Sequence, residues 1–339
     1  MTKSPDNNLL GTKDRLSVIL EPVKPELEIL ETRIRECLSS NNSFLDNVVR
    51  YIISAGGKRL RPAVSFLIAK ALNKGFISSN HFQLGQALEL IHTATIIHDD
   101  VIDVTETRRN IETINKLWDD KTAVIAGDFL LSKSLIKLAA VKNYSVIEIF
   151  ANTMSKLCEG EIQQNIQDYE IISLEDYIAK SRRKTAYLFM IGAECAAILT
   201  PNADNFIIKI AKEYALNFGI AFQIVDDILN FTSSEEELGK PVGIDLKDGI
   251  LTAPVLFALE YYEQKDDDRL KDLIDTRFID NKSFNTALEL VLNSDGIKKA
   301  KELANSYIET AKSCVKELED SPYKSSHIEL ADYVLSRRH

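Results

Sequence analysis

The stretch Leu90–Asp103, LIHTATIIHDDVID, is an apolar run that ends in three aspartates, Asp99, Asp100 and Asp103. On a helix, Asp99 and Asp103 are four residues apart and leave from one face, where two like charges repel each other. The apolar residues before them make the desolvation of these charges more unfavourable. A divalent cation relieves both effects, whereas the alternative interpretation is a solvated acidic helix end.

A second stretch, FQIVDDILNF at 222–231, repeats this arrangement, with Asp226 and Asp227 after an apolar run and Asn230 four residues after Asp226. Facing helices that each carry carboxylates are a known way to bind metal ions in a helical core. Carboxylate oxygens without nearby His or Cys pairs suit Mg²⁺ or Mn²⁺. Because Mg²⁺ prefers waters and phosphates as its remaining ligands, the expected substrate carries a phosphate or diphosphate.

Basic residues accompany both acidic clusters. They are Lys58, Arg59 and Arg61 in GGKRLRP (56–62), Arg108 and Arg109 after the first cluster, Lys184 before Thr185, and Lys240 after the second cluster. Arginine and lysine side chains both suit phosphate oxygens. Each alone is compatible with an ordinary surface charge, but their placement beside both clusters favours diphosphate binding.

Composition predicts an all-α protein, because 339 residues contain only 13 glycines and 8 prolines and show long helical periodicities. The net charge of −10 argues against a nucleic-acid partner. Four scattered cysteines without a CxxC pair indicate a reducing compartment. No apolar run approaches the roughly 18 residues of a membrane span, and no signal pattern is visible, so we expect a cytoplasmic protein.

Periodicity also predicts the element order within one domain, 16–339, after a flexible segment, 1–15. The predicted helices are 16–38 with breaks at Pro22 and Pro25, then 44–54, 62–72, 81–104, 122–140, 145–167, 174–198 and 204–231. A loop is predicted at 232–249, with further helices to the end.

Taken in order, GGKRLRP, LIHTATIIHDDVID with two arginines following, EGEIQQ, KT, FQIVDD and GKP resemble trans-isoprenyl diphosphate synthases. The resemblance runs from about residue 16 to YVLSRR at 333–338 and is strongest to the long-chain, solanesyl-type branch that supplies quinone side chains. It implies an isoprenoid synthase-type helical bundle around a central cavity, with 16–339 as a polyprenyl synthetase domain. It also implies a homodimer that contacts membranes only transiently, for product release.

The implied reaction is the Mg²⁺-dependent, head-to-tail condensation of isopentenyl diphosphate with an allylic diphosphate, farnesyl or geranylgeranyl. Asp99 and Asp103 are implied to bridge two Mg²⁺ ions on the allylic diphosphate, while Asp100 orients waters and neighbours. Asp226 is implied to bind a third ion, with Asp227 acting mainly in its outer coordination sphere. Mn²⁺ is the alternative ion.

Other matching residues are implied to contact the substrates. Arg108, Lys184 and Lys240 would hold the allylic diphosphate. The isopentenyl diphosphate would be held by Lys58, Arg61, His92 and Arg109. Thr185 and Gln223 would stabilise the allylic cation by their dipoles. Glu161 and Gln164 in EGEIQQ either reach metal-bound waters or are ordinary polar helix positions. The stretch 233–240 is interpreted as a mobile flap that carries Lys240.

Product length is predicted from Ala94 and Thr95, the turn before Asp99. Bulky residues there stop chain growth at farnesyl in the family, so small ones indicate a longer product. Plain helix packing is the alternative explanation, and Ile91 or Phe129 could still close the path deeper down.

Two features depart from the family pattern. RRNIETIN follows the first cluster where a glycine and then Pro-Thr are usual, and Asn230 replaces an aspartate, for which we predict a modest effect. The alternatives to a long-chain synthase are a geranylgeranyl diphosphate synthase, a non-catalytic subunit of a heteromeric synthase, and a terpene cyclase. A degenerate subunit should have lost carboxylates or basic residues that are all present here, and a cyclase would not need GGKRLRP.

Overall fold

The computed structural model describes residues 12–108, 111–164, 168–233 and 242–337, and nearly all of its elements are helices. In chain order they are α1 (Thr12–Ile19), α2 (Lys24–Cys37), α3 (Ser43–Ser54), α4 (Leu60–Leu72), α5 (Ser79–Ile102), α6 (Ile114–Leu117), α7 (Asp120–Val141), α8 (Tyr144–Gln164), α9 (Leu174–Ser181), α10 (Tyr187–Ile198), α11 (Asn205–Thr232), α12 (Ile244–Lys247), α13 (Ala253–Glu263), α14 (Arg269–Asp275), α15 (Asn281–Leu292), α16 (Gly296–Lys316) and α17 (Pro322–Ser336). A 3₁₀ turn, Glu21–Val23, precedes α2, and a π-helical turn, Arg182–Ala186, joins α9 to α10. The strands β1 (Thr107–Arg108) and β2 (Ile111–Glu112) form one antiparallel pair.

The all-α prediction is confirmed, with three local differences. Helix α1 begins at Thr12, four residues before the predicted domain boundary. The helix predicted over 174–198 contains the π turn, which periodicity alone does not reveal. The predicted loop at 232–249 contains the short helix α12.

The chain divides into two compact units. The first consists of Met1–Ala151, Leu188–Lys212 and Val315–His327, and the second of Asn152–Tyr187, Glu213–Cys314 and Ile328–His339. Both clusters of aspartates therefore sit on long helices, the first in one unit and the second in the other.

The first unit is built around α4, in which every residue from 62 to 70 is buried. A helix that is apolar on all sides needs neighbours all round, and α5 packs against both α4 and α7. Gly85 of α5 permits this approach, because a Cβ there would lie 2.9 Å from the Phe66 ring of α4. The close packing fixes α5, and with it the aspartates at its end.

The second unit has a separate apolar core formed by α12 to α15 and the end of α11. Its buried members are Phe231, Leu246, Leu251, Val255, Ala258, Tyr262, Leu270, Ile274, Ala287, Leu290 and Val291. Phe231 belongs to α11 and follows Asp226 and Asp227, so this core anchors the acidic end of that helix. In the part of the chain that the structure describes, no helix is long and apolar enough to cross a membrane.

Candidate active site

The three aspartates of the first cluster have different surroundings. Asp99 is half-buried, Asp103 caps the end of α5 in an exposed position, and Asp100 is buried. Successive residues of an α-helix point about 100° apart, so Asp100 leaves the face that Asp99 and Asp103 share. Its Oδ1 accepts a hydrogen bond from Nε of Arg108 at 2.6 Å. Burial raises the pKa of Asp100, although the positive charge of Arg108 opposes this shift.

Arg108 is held by the strand pair that follows α5. Thr107 pairs with Glu112, and Arg108 with Ile111, so two short antiparallel strands flank residues 109–110 of the unusual RRNIET sequence. Asn115 supports it, because its Nδ2 donates to the carbonyl oxygen of Asp100 at 3.2 Å. Arg109, predicted to bind isopentenyl diphosphate, lies outside the described residues.

Arg61 of GGKRLRP lies next to His92 of α5, with Nη1 of Arg61 2.9 Å from Nε2 of His92. The Arg61 guanidinium also stacks on Phe189, 4.9 Å from the ring centroid. Lys58, three residues before Arg61, is exposed. His92, Arg108 and Gly56 line one small hollow in this unit.

Arg59 behaves differently from the other basic residues of that segment. Its backbone is left-handed, with φ of 49°, and its guanidinium forms ion pairs of 2.9 Å with Glu31 and with Glu89. The positive charge of Arg59 is therefore balanced by two carboxylates of the protein, so Arg59 orders the start of α4 and is a poor candidate for diphosphate binding.

In the second unit, Thr185, Gln223 and Asp227 form one hydrogen-bonded row. The Thr185 hydroxyl donates to Oε1 of Gln223, and Nε2 of Gln223 donates to Oδ1 of Asp227 at 2.8 Å. Tyr177 donates its hydroxyl to the other oxygen of Asp227 at 2.5 Å. Burial, with a smaller contribution from the negative charge of Asp245, raises the pKa of Asp227 to about 7, against the opposing effect of its hydrogen bonds and of Lys184.

Lys184 is exposed on the π turn that also carries Thr185. Single π turns are frequent at functional sites. Burial lowers the pKa of nearby Lys180, and the charge of Lys184 lowers it further, while Glu161 opposes the shift. Two neighbouring lysines with this mutual repulsion are suited to an anionic ligand.

Asp226, next to Asp227 on α11, is more accessible, with 44% of its side chain exposed. Its Oδ1 lies 2.8 Å from Nη2 of Arg337. The Arg337 guanidinium stacks on the Phe222 ring at 3.7 Å and donates to the Phe222 carbonyl oxygen at 2.5 Å. Arg337 thus binds the same turn of α11 through three contacts.

Asn230 is buried one turn after Asp226. Its carbonyl oxygen accepts a hydrogen bond from the Gly243 amide at 2.8 Å, while its side-chain Oδ1 has no hydrogen-bond partner in the part of the chain that the structure describes. The amide does not face solvent beside Asp226.

Tyr177 and Arg337 contact the second cluster, and sequence reasoning missed both. Tyr177 precedes Thr185 by eight residues on a predicted helix, a spacing that places two side chains near one face and could have suggested the contact. Arg337 is 111 residues from Asp226, and no pattern in YVLSRR indicates its partner. Lys240, most of the predicted flap 233–240 and the side chain of Gln164 lie outside the described residues.

The donor atoms fit a hard divalent cation. Asp99, Asp103 and Asp226 offer carboxylate oxygens, the ligands that Mg²⁺ prefers. Among the residues of 12–108, 111–164, 168–233 and 242–337, no group of three or more His, Cys, Asp or Glu side chains is arranged as a complete metal site. Mg²⁺ takes one or two carboxylates and completes its octahedron with water and substrate phosphate, so the carboxylates of Asp99, Asp103 and Asp226 are of the kind that it binds.

Comparisons with known proteins agree with this chemistry. Residues 42–291 match the family model described as polyprenyl synthetase. A prenyl transferase of Synechocystis is 39% identical over 95% of this chain and 98% of its own length. The chloroplastic solanesyl-diphosphate synthase 2 of Oryza sativa is 39% identical over 96% of this chain and 81% of its own. A polyprenyl synthase from Caulobacter crescentus, solved with calcium and isoprenyl diphosphate, superposes with a TM-score of 0.88 at 29% identity, over 96% and 98% of the two chains.

This chain belongs to the polyprenyl synthetase family. The protein is a prenyltransferase, and the predicted family, the helical fold and a trans-polyprenyl diphosphate synthase of the long-chain type are all confirmed. The predicted cytoplasmic location stays a prediction, and the Oryza sativa relative is a chloroplastic protein.

Proposed function

We propose that this polyprenyl synthetase extends farnesyl or geranylgeranyl diphosphate with isopentenyl diphosphate to a solanesyl-like product, with Mg²⁺ as its metal ion. The observation that carries the proposal is that the first unit holds two separate charged groups. The acidic pair Asp99 and Asp103 lies at the end of α5, whereas Arg61, on α4, contacts His92 two turns before Asp99. Two diphosphates need two such sites, whereas a cyclase needs one.

The metal supplies charge neutralisation, since Mg²⁺ on the diphosphate oxygens makes a poor leaving group a better one. Asp99 and Asp103 would hold two ions, and Asp226 a third. In place of a direct metal contact, Asp100 is proposed to orient Arg108 toward the allylic diphosphate, which fits their 2.6 Å ion pair. Asp227 would act on the ion bound by Asp226 only through neighbouring groups.

The remaining side chains bind and orient the substrates. Arg108, Lys184 and Lys240 would bind the allylic diphosphate, and Lys58, Arg61, His92 and Arg109 the isopentenyl diphosphate. When the allylic C–O bond breaks, Thr185 and Gln223 would stabilise the carbocation by their dipoles. The alkene of isopentenyl diphosphate forms the new C–C bond, and its proton leaves to the departing diphosphate.

The test is incubation of the purified protein with Mg²⁺, isopentenyl diphosphate and either allylic primer, followed by chromatography of the dephosphorylated products. We expect chains well beyond geranylgeranyl. No extension of either primer would contradict the proposed activity. A product that ends at geranylgeranyl would favour the geranylgeranyl diphosphate synthase alternative.

The length determinant is tested at Thr95, which is half-buried on α5, whereas Ala94 is buried and an aromatic there would overpack the core. Thr95→Phe should shorten the product, and Thr95→Ser should not. An unchanged distribution with Thr95→Phe would remove this turn from the path of the growing chain.

We further propose a homodimer formed through the first unit. Helices α7 and α8 expose apolar side chains in succession, among them Val124, Ile125, Leu135, Ile136 and Ile147. An apolar surface of this kind marks an interaction site. Light scattering should give twice the chain mass for the wild type and a smaller mass for Leu135→Asp; a monomeric wild type would contradict the proposal.

The apolar product would need transient membrane contact to leave.

A further inference from the structure

Four side chains of the second unit form a continuous row: Tyr177, Asp227 and Thr185 are buried, and Gln223 is half-buried. The contacts are Tyr177 Oη to Asp227 Oδ2 at 2.5 Å, Gln223 Nε2 to Asp227 Oδ1 at 2.8 Å, and Thr185 Oγ1 to Gln223 Oε1. Tyr177 is 3% exposed and Asp227 4%, so water does not compete for these groups. Each carboxylate oxygen of Asp227 has its own donor.

The chemistry of these four side chains determines which atoms donate and which accept each hydrogen bond in the row. Both carboxylate oxygens of Asp227 accept hydrogen bonds, Oδ2 from Tyr177 and Oδ1 from Gln223, so Gln223 turns its NH₂ group, and not its carbonyl, toward Asp227. The carbonyl oxygen Oε1 then faces Thr185, which donates its only hydroxyl proton to it. What Thr185 has left is oxygen lone pairs. A neighbouring positive charge is therefore met by acceptors and not by donors.

The backbone places Tyr177 and Thr185 in the same row. Tyr177 lies on α9, which ends at Ser181. The Ser181 hydroxyl donates to the Tyr177 carbonyl oxygen at 2.9 Å. The π turn Arg182–Ala186 follows at once and contains Thr185. Because a π turn takes more residues than an α turn, Thr185 is rotated back toward the face that Tyr177 occupies.

We propose that Tyr177 is a positioning residue for prenyl transfer, which holds Asp227 so that Gln223 and Thr185 present lone pairs to the allylic cation. The proposal rests on the proposed function, in which that cation forms. Without the Tyr177 hydroxyl, Asp227 loses the donor to Oδ2 and is free to rotate. The Gln223 amide then loses its fixed partner, and a flipped amide would present N–H groups, which repel a cation.

The first test is Tyr177→Phe, which removes one oxygen and keeps the ring. At pH 8, kcat should fall about 10-fold to 100-fold, as for other groups that orient a reacting residue. KM for isopentenyl diphosphate should change less than about threefold, since no binding group is lost. The matched control is Tyr262→Phe, because Tyr262 is also buried and donates to the Leu290 carbonyl oxygen at 3.1 Å. It should leave kcat unchanged.

The second test separates positioning from simple structural support. In a Gln223→Ala background, Tyr177→Phe should lower kcat by less than about threefold, since the group that Tyr177 orients is already absent. An equal loss in both backgrounds would overturn the proposal, as would a fully active Tyr177→Phe. Inactive wild-type protein would instead count against the proposed function.

A third comparison covers the case in which Tyr177→Phe does not fold. Asp227→Asn and Asp227→Asn/Tyr177→Phe leave no buried carboxylate without a donor, and both should fold. If Tyr177 acts through Asp227, the two variants should share one kcat within about threefold. A further tenfold loss in the double variant would contradict the proposed route.

Discussion

The two aspartate clusters are nearly alike in sequence, HDDVID at 98–103 and VDDILN at 225–230, but their surroundings differ. In the first, Asp99 and Asp103 keep their carboxylates at or near the surface, and only Asp100 is buried, against Arg108. In the second, Asp227 and Asn230 are buried, and Asp226 is paired with Arg337. Two similar sequences therefore leave two carboxylates at or near the surface in one unit, and carboxylates that are buried or paired with protein groups in the other.

The largest expected effect is on the presented carboxylates. Asp99→Ala removes a proposed metal-binding oxygen, so kcat/KM should fall about 1,000-fold or more at saturating Mg²⁺. The control is Asp120→Ala, which removes an exposed aspartate from the first turn of α7. Steady-state kinetics measures both. A loss below tenfold for Asp99→Ala would mean that the first cluster does not hold the metal.

Arg337 tests whether the second cluster depends on its protein partners. Arg337→Ala removes the pair with Asp226, the stacking on Phe222 and one hydrogen bond to the backbone. Because Asp226 is partly exposed, the ion pair itself contributes little. The loss of all three contacts together should lower the free energy of unfolding by about 2 kcal/mol. Urea denaturation without Mg²⁺ measures it. The exposed pair Arg269–Asp267 is the control, and Arg269→Ala should have a much smaller effect.

How much of this could be predicted from the sequence depends on the range of the interaction. Helical periodicity and the local spacing of Asp99 and Asp103 predicted the fold and the first cluster, because both depend on residues within a few turns. The burial of Asp100 against Arg108, next to the half-buried Asp99, was not predicted, because burial depends on what packs against each face of the helix. The pairing of Arg337 with Asp226 and the π turn that contains Thr185 depend on tertiary packing, which leaves no local pattern.

The buried position of Asp227 predicts a dependence of stability on pH near neutrality. Its pKa is about 7 in the folded protein and near 3.8 in the unfolded chain, so between these values only the folded protein keeps the proton. Stability from this group is therefore present below pH 7 and is lost as the pH rises through 7. From pH 6 to pH 8 the loss should be about 1 kcal/mol.

The measurement is thermal or urea unfolding at both pH values with EDTA, so that no metal holds Asp227 ionised. Asp227→Asn cannot titrate and should remove this part of the pH dependence, while Asp99→Asn should leave it in place. Equal pH dependence in wild type and Asp227→Asn would show that Asp227 is ionised at pH 6, and that its hydrogen bonds outweigh its burial.

The smallest expected effect is at Asn230, where the second cluster departs from the family pattern. Asn230→Asp should change activity by less than about tenfold, because the amide is buried one turn after Asp226 and is not exposed beside it. The added carboxylate would instead enter a buried site near Asp227, where the present Oδ1 has no donor among the described residues. The free energy of unfolding should therefore fall by about 1–3 kcal/mol at pH 8. Asn305→Asp on the exposed face of α16 is the control. If Asn230→Asp instead raised activity and lowered the Mg²⁺ requirement without loss of stability, position 230 would be a metal ligand, and the two clusters would be equivalent after all.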